Sequence, residues 1–249
     1  MRALLAAMNC PKGDIEGNLA AHIRVLRTAT PGDLVLFPEM SLTGSVDPAV
    51  RADRLISLDH HAIRALAQGT ENGVGACFGI AEQGPDGAPY IAQIFAAGGR
   101  IAGVQRKRHL GDGEEAFVAA TDTTIFDHDG IRFGVAICAE SGFDAPFDSA
   151  AAAGARLVLF PAAPGLYGRR TDEESWRSGF AWWESCGLAD ACRHAKRLGL
   201  WIAMAGQAGV TEDEDFPGLA ALVEPDGQVA GRLADWHPGT LAVEIGLSA

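Results

Sequence analysis

No stretch of about 20 consecutive apolar residues occurs in the chain, so nothing in it reads as a membrane-spanning helix. The apolar run at residues 3–8 is far too short for one, and no secretory leader is expected. Self-similarity at a period of roughly 20–50 residues is missing, which excludes solenoids and propellers. No linker long enough to divide the chain is present, and residues 1–249 read as one domain. Cysteine is sparse and odd in number: the five, at positions 10, 77, 138, 186 and 192, form no paired framework. That pattern suits a reducing compartment, and a cytoplasmic location is expected. Positive charge is in short supply, with 20 Lys and Arg against 32 Asp and Glu and a net charge of −12. Such a balance argues against binding a phosphate backbone and leaves nucleic acid out as a partner; it does not identify a substrate.

Against these absences, apolar residues make up 48 % and charged residues 21 % of the chain, ample for a globular core. A length of 249 residues suits one large α/β unit. Residues 3–8 read as a buried strand, and Asp14 caps a helix whose Ile15, Leu19, Ile23 and Leu26 share a face. Thr30-Pro31-Gly32 stops that helix. Further strands are expected at 34–37, 74–81, 90–97, 101–105, 125–128, 131–137, 156–160, 200–205, 219–223, 228–233 and 241–245, and helices near 59–71, 145–153 and 174–198. Glycine-rich turns at 98–100 and 129–130 make two of the connections hairpins. His60 and His61 are adjacent, so on a helix they point apart and read as surface residues. The run Glu212-Asp213-Glu214-Asp215 reads as a solvated acidic loop, too irregular in spacing for a calcium site.

Three strand ends carry chemistry. In residues 131–140, Phe133, Val135 and Ile137 alternate with smaller or polar residues, and the strand ends at Cys138. Ser141, Gly142 and Asp144 then supply turn and helix-start chemistry. A thiol at such a corner sits near a helix N-terminus, whose dipole and free N–H groups favour a thiolate and any oxyanion beside it. Taken alone, Cys138 reads more readily as a buried structural thiol closing a strand. Two other segments alter that balance. Residues 34–37 form an apolar strand that stops at Pro38 and presents Glu39, and residues 105–110 place Lys107 in a cationic cluster at another strand end. Glu39 lies among Pro38, Met40 and Leu42, where partial burial would raise its pKa toward base duty; a solvated loop carboxylate is the plain alternative. A Cys to attack, a Glu to move protons and a Lys to stabilise negative charge are what amide-type chemistry needs.

The segments Phe37-Pro38-Glu39-Met40-Ser41-Leu42-Thr43-Gly44, Arg106-Lys107-Arg108-His109-Leu110 and Gly134-Val135-Ala136-Ile137-Cys138 resemble, in order, the three signatures of the nitrilase superfamily of carbon–nitrogen hydrolases. The resemblance runs from about residue 3 to 243. It implies a mixed α/β fold, a four-layer α-β-β-α sandwich, where strict alternation of strands and helices would also have suited a barrel. It implies homodimers or higher homo-oligomers, with no metal and no organic cofactor required. Glu39 becomes the general base, Lys107 the cation beside the tetrahedral intermediate and Cys138 the nucleophile. A second glutamate is implied after the lysine: Glu114 fits best, with Glu115 as rival. Arg106 and Arg108 then pair as surface or salt-bridging residues, and His109 supports the site without carrying the proton.

The backbone N–H of Ala139 is the implied oxyanion donor, and Glu140 and Phe143 match acidic and aromatic positions that support the pocket. An aromatic residue is common at the position of Ala139, so its absence is expected to enlarge or reshape the pocket. Ala163, Tyr167 and Arg169 lie where relatives place substrate contacts; arginines 169 and 170 could bind a carboxylate or be solvated. The implied activity is hydrolysis of a small amide through a thioester on Cys138. A nitrilase or N-carbamoyl hydrolase with the same residues, and a non-catalytic binding protein on the same fold, are the alternatives. A redox thiol role lacks a resolving cysteine close in sequence.

Overall fold

Strand β1 (Arg2–Ala7) shows how the sheets are built. Leu4 and Ala6 enter one apolar cluster and Ala3, Leu5 and Ala7 another, because successive side chains of a strand project to opposite faces. Both faces are apolar, so this sheet is covered on both sides. In the computed structural model, which describes residues 1–247, the division continues through β2 (Leu34–Leu36) and β3 (Gly75–Gln83). Leu36 and Cys77 belong to the inner cluster, and Val35, Phe78 and Ile80 to the outer.

The chain continues through β4 (Pro89–Ala97), β5 (Arg100–Arg106), β6 (Phe126–His128), β7 (Ile131–Val135), β8 (Leu157–Ala162), β9 (Trp201–Gly206), β10 (Ala208–Val210), β11 (Asp215–Pro217), β12 (Ala220–Val223), β13 (Val229–Arg232) and β14 (Gly239–Glu244). One six-stranded sheet has the order β14-β1-β2-β3-β4-β5 and the other β13-β12-β9-β8-β7-β6. The centre of each is parallel, β1-β2-β3 in the first and β7-β8-β9 in the second, and the flanks are antiparallel.

The two sheets meet through apolar side chains. Phe95 of the first lies 5.0 Å from Phe133 and 5.6 Å from Phe126 of the second, edge to face, an arrangement that adds to area burial. Helices α1 (Ile15–Leu26), α2 (Pro48–Arg51) and α3 (His61–Gln68) precede β3, and Leu26, Ile63 and Leu66 of α1 and α3 seal the outer face of the first sheet. Helices α4 (Ala145–Ala152), α5 (Glu173–Trp183) and α6 (Ala189–Leu198) supply Phe147, Phe180 and Ala195 to the cluster containing the second sheet. The result is the α-β-β-α sandwich, with both expected hairpins in place.

Three local expectations change. The single helix expected over 174–198 contains a π-turn at Glu184–Leu188. The Trp183 indole lies so close to Gly187 that a Cβ there would meet it at 2.4 Å. The acidic run 212–215 is not simply a solvated loop: it ends in the β10–β11 ribbon with Asp215 buried. His60 caps α3 instead of lying within it, and its ring and that of His61 lie 4.4 Å apart, tilted by 38°.

Close approach of chain segments is tightest under the Pro38–Met40 turn. A Cβ on Gly79 would stand 2.2 Å from the Met40 nitrogen and 2.8 Å from the Pro38 oxygen. Gly79→Ala is therefore expected to destabilise the protein by about 1–3 kcal/mol through overpacking, which lowers the melting temperature by several degrees at roughly 2–4 °C per kcal/mol. Thermal unfolding followed by circular dichroism checks this; an unchanged melting temperature would show that the turn yields.

Candidate active site

Strand ends from both sheets converge on one point. Glu39 follows β2 and Lys107 follows β5 in the first sheet; Cys138, Ala163 and Gln207 follow β7, β8 and β9 in the second. The Lys107 Nζ donates to Glu39 Oε1 at 2.7 Å and to Glu114 Oε1 at 2.6 Å. Glu114 Oε2 accepts the Gly111 N–H at 2.6 Å, which fixes the turn carrying it. Glu39 and Lys107 are buried, and the Cys138 thiol lies against Glu39 and the Ala163 backbone N–H. Glu115, the rival second glutamate, is exposed and accepts only the Gly113 N–H at 3.1 Å. The expected convergence of residues 39, 107, 114 and 138 is what the chain builds.

Two of the presenting turns are strained. Cys138 has φ 43° and the residue after Glu39, Met40, has φ 47°, a region that costs side-chain-bearing residues energy and persists only where surrounding structure over-determines it. Glu140 does so for Cys138. Its carboxylate accepts the Ile137 and Arg108 N–H groups at 2.8 Å each and two guanidinium bonds from Arg108 at 3.1 Å. One side chain thus joins the residue after Lys107 to the residue before Cys138.

The Glu39 turn is held by a buried polar relay. His22 Nδ1 faces the Asn18 carbonyl at 2.7 Å, and burial pushes the pKa of His22 down to about 4. The ring is neutral, its proton sits on Nδ1, and Nε2 accepts from the Ser41 hydroxyl at 2.9 Å. Ser41 in turn accepts the Gly79 N–H at 3.2 Å. From the other sheet, Gln207 Nε2 donates to the Glu39 carbonyl at 2.8 Å and to Ser45 Oγ at 3.1 Å.

Burial raises the Glu39 carboxyl to about 7; Lys107 opposes the rise, Glu114 adds to it, and the thiol opposes it slightly. Glu39 Oε2 has no hydrogen-bond partner among the described residues. Burial alone would lower Lys107, but Glu39, Cys138 and Glu114 together outweigh it and hold the ammonium above the usual lysine range. The thiol of Cys138 is pushed well up, by burial first and then by Glu39. This corrects the expectation of a turn that favours thiolate. Cys138–Gly142 is one short 3-10 turn and α4 starts only at Ala145, so the turn that carries the sulfur does not open a long helix.

A cleft of about 200 Å³ opens onto this site, lined by Met40, Val46, Phe117 and Ala163 and by the polar residues Lys12, Ser45, Asp47, Asp112, Glu114, Tyr167 and Glu214. Of the expected substrate contacts, Ala163 and Tyr167 line it. Arg169 does not: its guanidinium donates to the Glu212 carbonyl at 2.7 Å. Arg170 likewise bonds the Leu166 carbonyl at 2.6 Å. Phe143, expected as a support and not as a substrate contact, is 45 % exposed and stacks on His109 at 4.3 Å. The space expected beside Ala139 is filled on one side, since a Cβ on Gly111 would lie 3.0 Å from its methyl group. Arg106 pairs with buried Glu82 at 2.6 Å and Arg108 with Glu140. No local motif marks Lys12, Ser45, Asp47, Asp112 or Gln207 as site residues, and Glu214 reads from the sequence only as part of an acidic loop. Among the described residues no group of three or more His, Cys, Asp or Glu side chains is arranged to hold a metal ion, and no helix is long and apolar enough to cross a membrane.

A family model described as carbon–nitrogen hydrolase matches residues 4–249. The chain belongs to the carbon–nitrogen hydrolase family. The sandwich agrees with a nitrilase-superfamily amidase from Nesterenkonia sp., which superimposes with a TM-score of 0.79 at 25 % identity over 98 % of this chain and 90 % of that one. Among curated relatives of this hydrolase, one described as a hydrolase in the pqqF 5′ region of Pseudomonas protegens is 33 % identical over 171 residues, 64 % of this chain. The glutamine-dependent NAD(+) synthetase of Xanthomonas campestris pv. campestris is 26 % identical over 97 % of this chain. The chain spans 59 % and 42 % of the lengths of those two proteins.

Removing Glu140 leaves the Arg108 guanidinium without its carboxylate and takes the acceptor away from two backbone N–H groups and two guanidinium nitrogens. Glu140→Ala is expected to cost about 3–5 kcal/mol, the range for breaking a buried pair, read as a shift in the urea midpoint. A loss no larger than that of a surface substitution would contradict the structural role given to this carboxylate.

Proposed function

We propose that this carbon–nitrogen hydrolase cleaves small amides through a thioester on Cys138. The observation that carries the reading is the buried Lys107 ammonium bonded to both Glu39 and Glu114 next to a thiol on a positive-φ turn. A nucleophilic role for the cysteine is supported by the Nesterenkonia amidase, in whose glutamate-to-glutamine mutant acrylamide, by Michael addition, and the acetamide moiety of fluoroacetamide add covalently at the active-site cysteine.

In this mechanism the resting thiol is protonated, because burial holds its pKa high. Glu39, near pKa 7, is matched to accept that proton at neutral pH and to return it. As Glu39 takes the proton, the sulfur attacks the amide carbon. The developing oxyanion is stabilised by Lys107 and by the Ala139 N–H, which stands at the start of the 3-10 turn where first N–H groups lack an intrahelical acceptor. Protonated Glu39 gives its proton to the departing amine. Water, deprotonated by Glu39, then attacks the thioester and releases the acid. Glu114 anchors Lys107 throughout. A nitrile or an N-carbamoyl group could meet the same residues; product analysis on matched nitrile, carbamoyl and amide substrates separates these from amide hydrolysis.

The base must be unprotonated to act, so kcat/KM for a small amide is expected to rise as pH increases through about 7, the Glu39 value, and to be lost below it. Glu39→Gln should remove that limb and lower kcat/KM by about 10²–10⁴. Cys138→Ala should fold normally and yield no acyl adduct by intact-protein mass spectrometry after exposure to an amide panel. Unchanged turnover by the Cys138→Ala variant would falsify the proposal.

A further inference from the structure

Resting on the amidase reading above, we propose that the amide taken by this cleft carries a positive charge on its acyl part, seated at the exposed end of the cleft by Asp47, Asp112 and Glu214. Four carboxylates line the cleft, Asp47, Asp112, Glu114 and Glu214, against one ammonium, Lys12. That ammonium is already held by Asp213 at 2.7 Å and Glu214 at 2.9 Å. At the floor, the charge of Lys107 is likewise taken up by Glu39 and Glu114. Asp112 has no partner within the protein among the described residues, and Asp47 spends one oxygen on the Ala49 N–H at 2.8 Å. The arginines that could have received a carboxylate, Arg169 and Arg170, are turned onto backbone carbonyls.

A second observation points the same way. Two buried polar atoms at the site lack partners, Glu39 Oε2 and Gln207 Oε1, and both are acceptors. Gln207 is fully buried, and its amide bonds Ser45, a residue of the cleft wall. Buried acceptors left unpaired are costly, and a ligand rich in N–H donors satisfies them. Beyond the N–H groups of the amide itself, a carboxylate on the acyl part adds only acceptors and meets net negative charge along its path, whereas an ammonium there adds donors and meets attraction that concave, low-dielectric walls concentrate. Discrimination here comes as much from repelling anions as from holding cations.

The test uses the thiol at the floor as a reporter. Methanethiosulfonates of matched size bearing an ammonium (2-aminoethyl), no charge (ethyl) or a sulfonate (2-sulfonatoethyl) react with Cys138. Its sulfur attacks the sulfenyl sulfur, methanesulfinate leaves with the bonding electrons, the thiol proton is lost to the solvent, and a mixed disulfide remains. Rates at Cys138 are read by peptide mass spectrometry and divided by each reagent's rate with a free small thiol. The ammonium reagent is expected to outpace the sulfonate by at least about tenfold, the low end of electrostatic focusing in clefts. The ratio should shrink in Asp112→Asn and in about 1 M salt, where screening acts over roughly 3 Å. A sulfonate as fast as the ammonium, or a ratio indifferent to Asp112→Asn, overturns the proposal. In parallel, kcat/KM is compared for matched primary amides bearing an ammonium, a methyl or a carboxylate group, with the ammonium amide expected to lead. If neutral and anionic amides acylate Cys138 as readily, this inference alone fails; if no amide in the series acylates it, the amidase reading fails and the inference with it.

Discussion

A single ammonium group, Lys107 Nζ, organises the site. Moving such an ion out of water costs several kcal/mol unless excellent partners surround it, and it finds them in carboxylates from two separate segments, Glu39 and Glu114. The arrangement holds one positive charge against two negative ones when all are ionised. Burial is the largest reason that Glu39, the more deeply buried acid, keeps its proton up to about pH 7; Lys107 opposes the rise and the second carboxylate, Glu114, adds to it. The proton-carrying property of the site is thus a product of how deeply Glu39 is buried and of sharing one ammonium between two carboxylates.

The two sheets contribute different parts. Glu39 and Lys107 come from the first, Cys138, Ala163 and Gln207 from the second. Two bridges keep the halves in register: Glu140 binds Arg108 to the turn of Cys138, and Gln207 reaches from β9 to the carbonyl of Glu39. Both bridges are buried, so water does not compete for their hydrogen bonds, and each replaces several weaker contacts with one geometrically demanding one.

Much of this was legible in the sequence because it is written locally. Each of residues 39, 107 and 138 follows a run read as a strand, and strand periodicity places them at strand ends. The sandwich followed from parallel strands interrupted by two hairpins together with the resemblance. What was not legible depends on side chains meeting across the fold. Gln207 sits at the end of an ordinary strand, and nothing around it in sequence predicts that its amide reaches Glu39. Lys12 and Glu214 are 202 positions apart. Arg169 does not reach the cleft: its residue type suits a pocket, but the direction of a loop side chain is set by the backbone carbonyl it finds. The thiolate expectation failed on magnitude: burial of the sulfur outweighs what a five-residue turn can supply.

Because the base rides on one sheet and the thiol on the other, their separation is governed by the packing and the two buried bridges between layers and not by the hydrogen bonds within either layer. A partly loosened state, in which Phe95 no longer locks against Phe126 and Phe133, would retain its strands while letting the layers slide. The reacting groups would part by ångströms at no loss of secondary structure. Chemistry in this molecule is in that sense a gauge of inter-layer alignment, one that dims before far-ultraviolet circular dichroism registers any change.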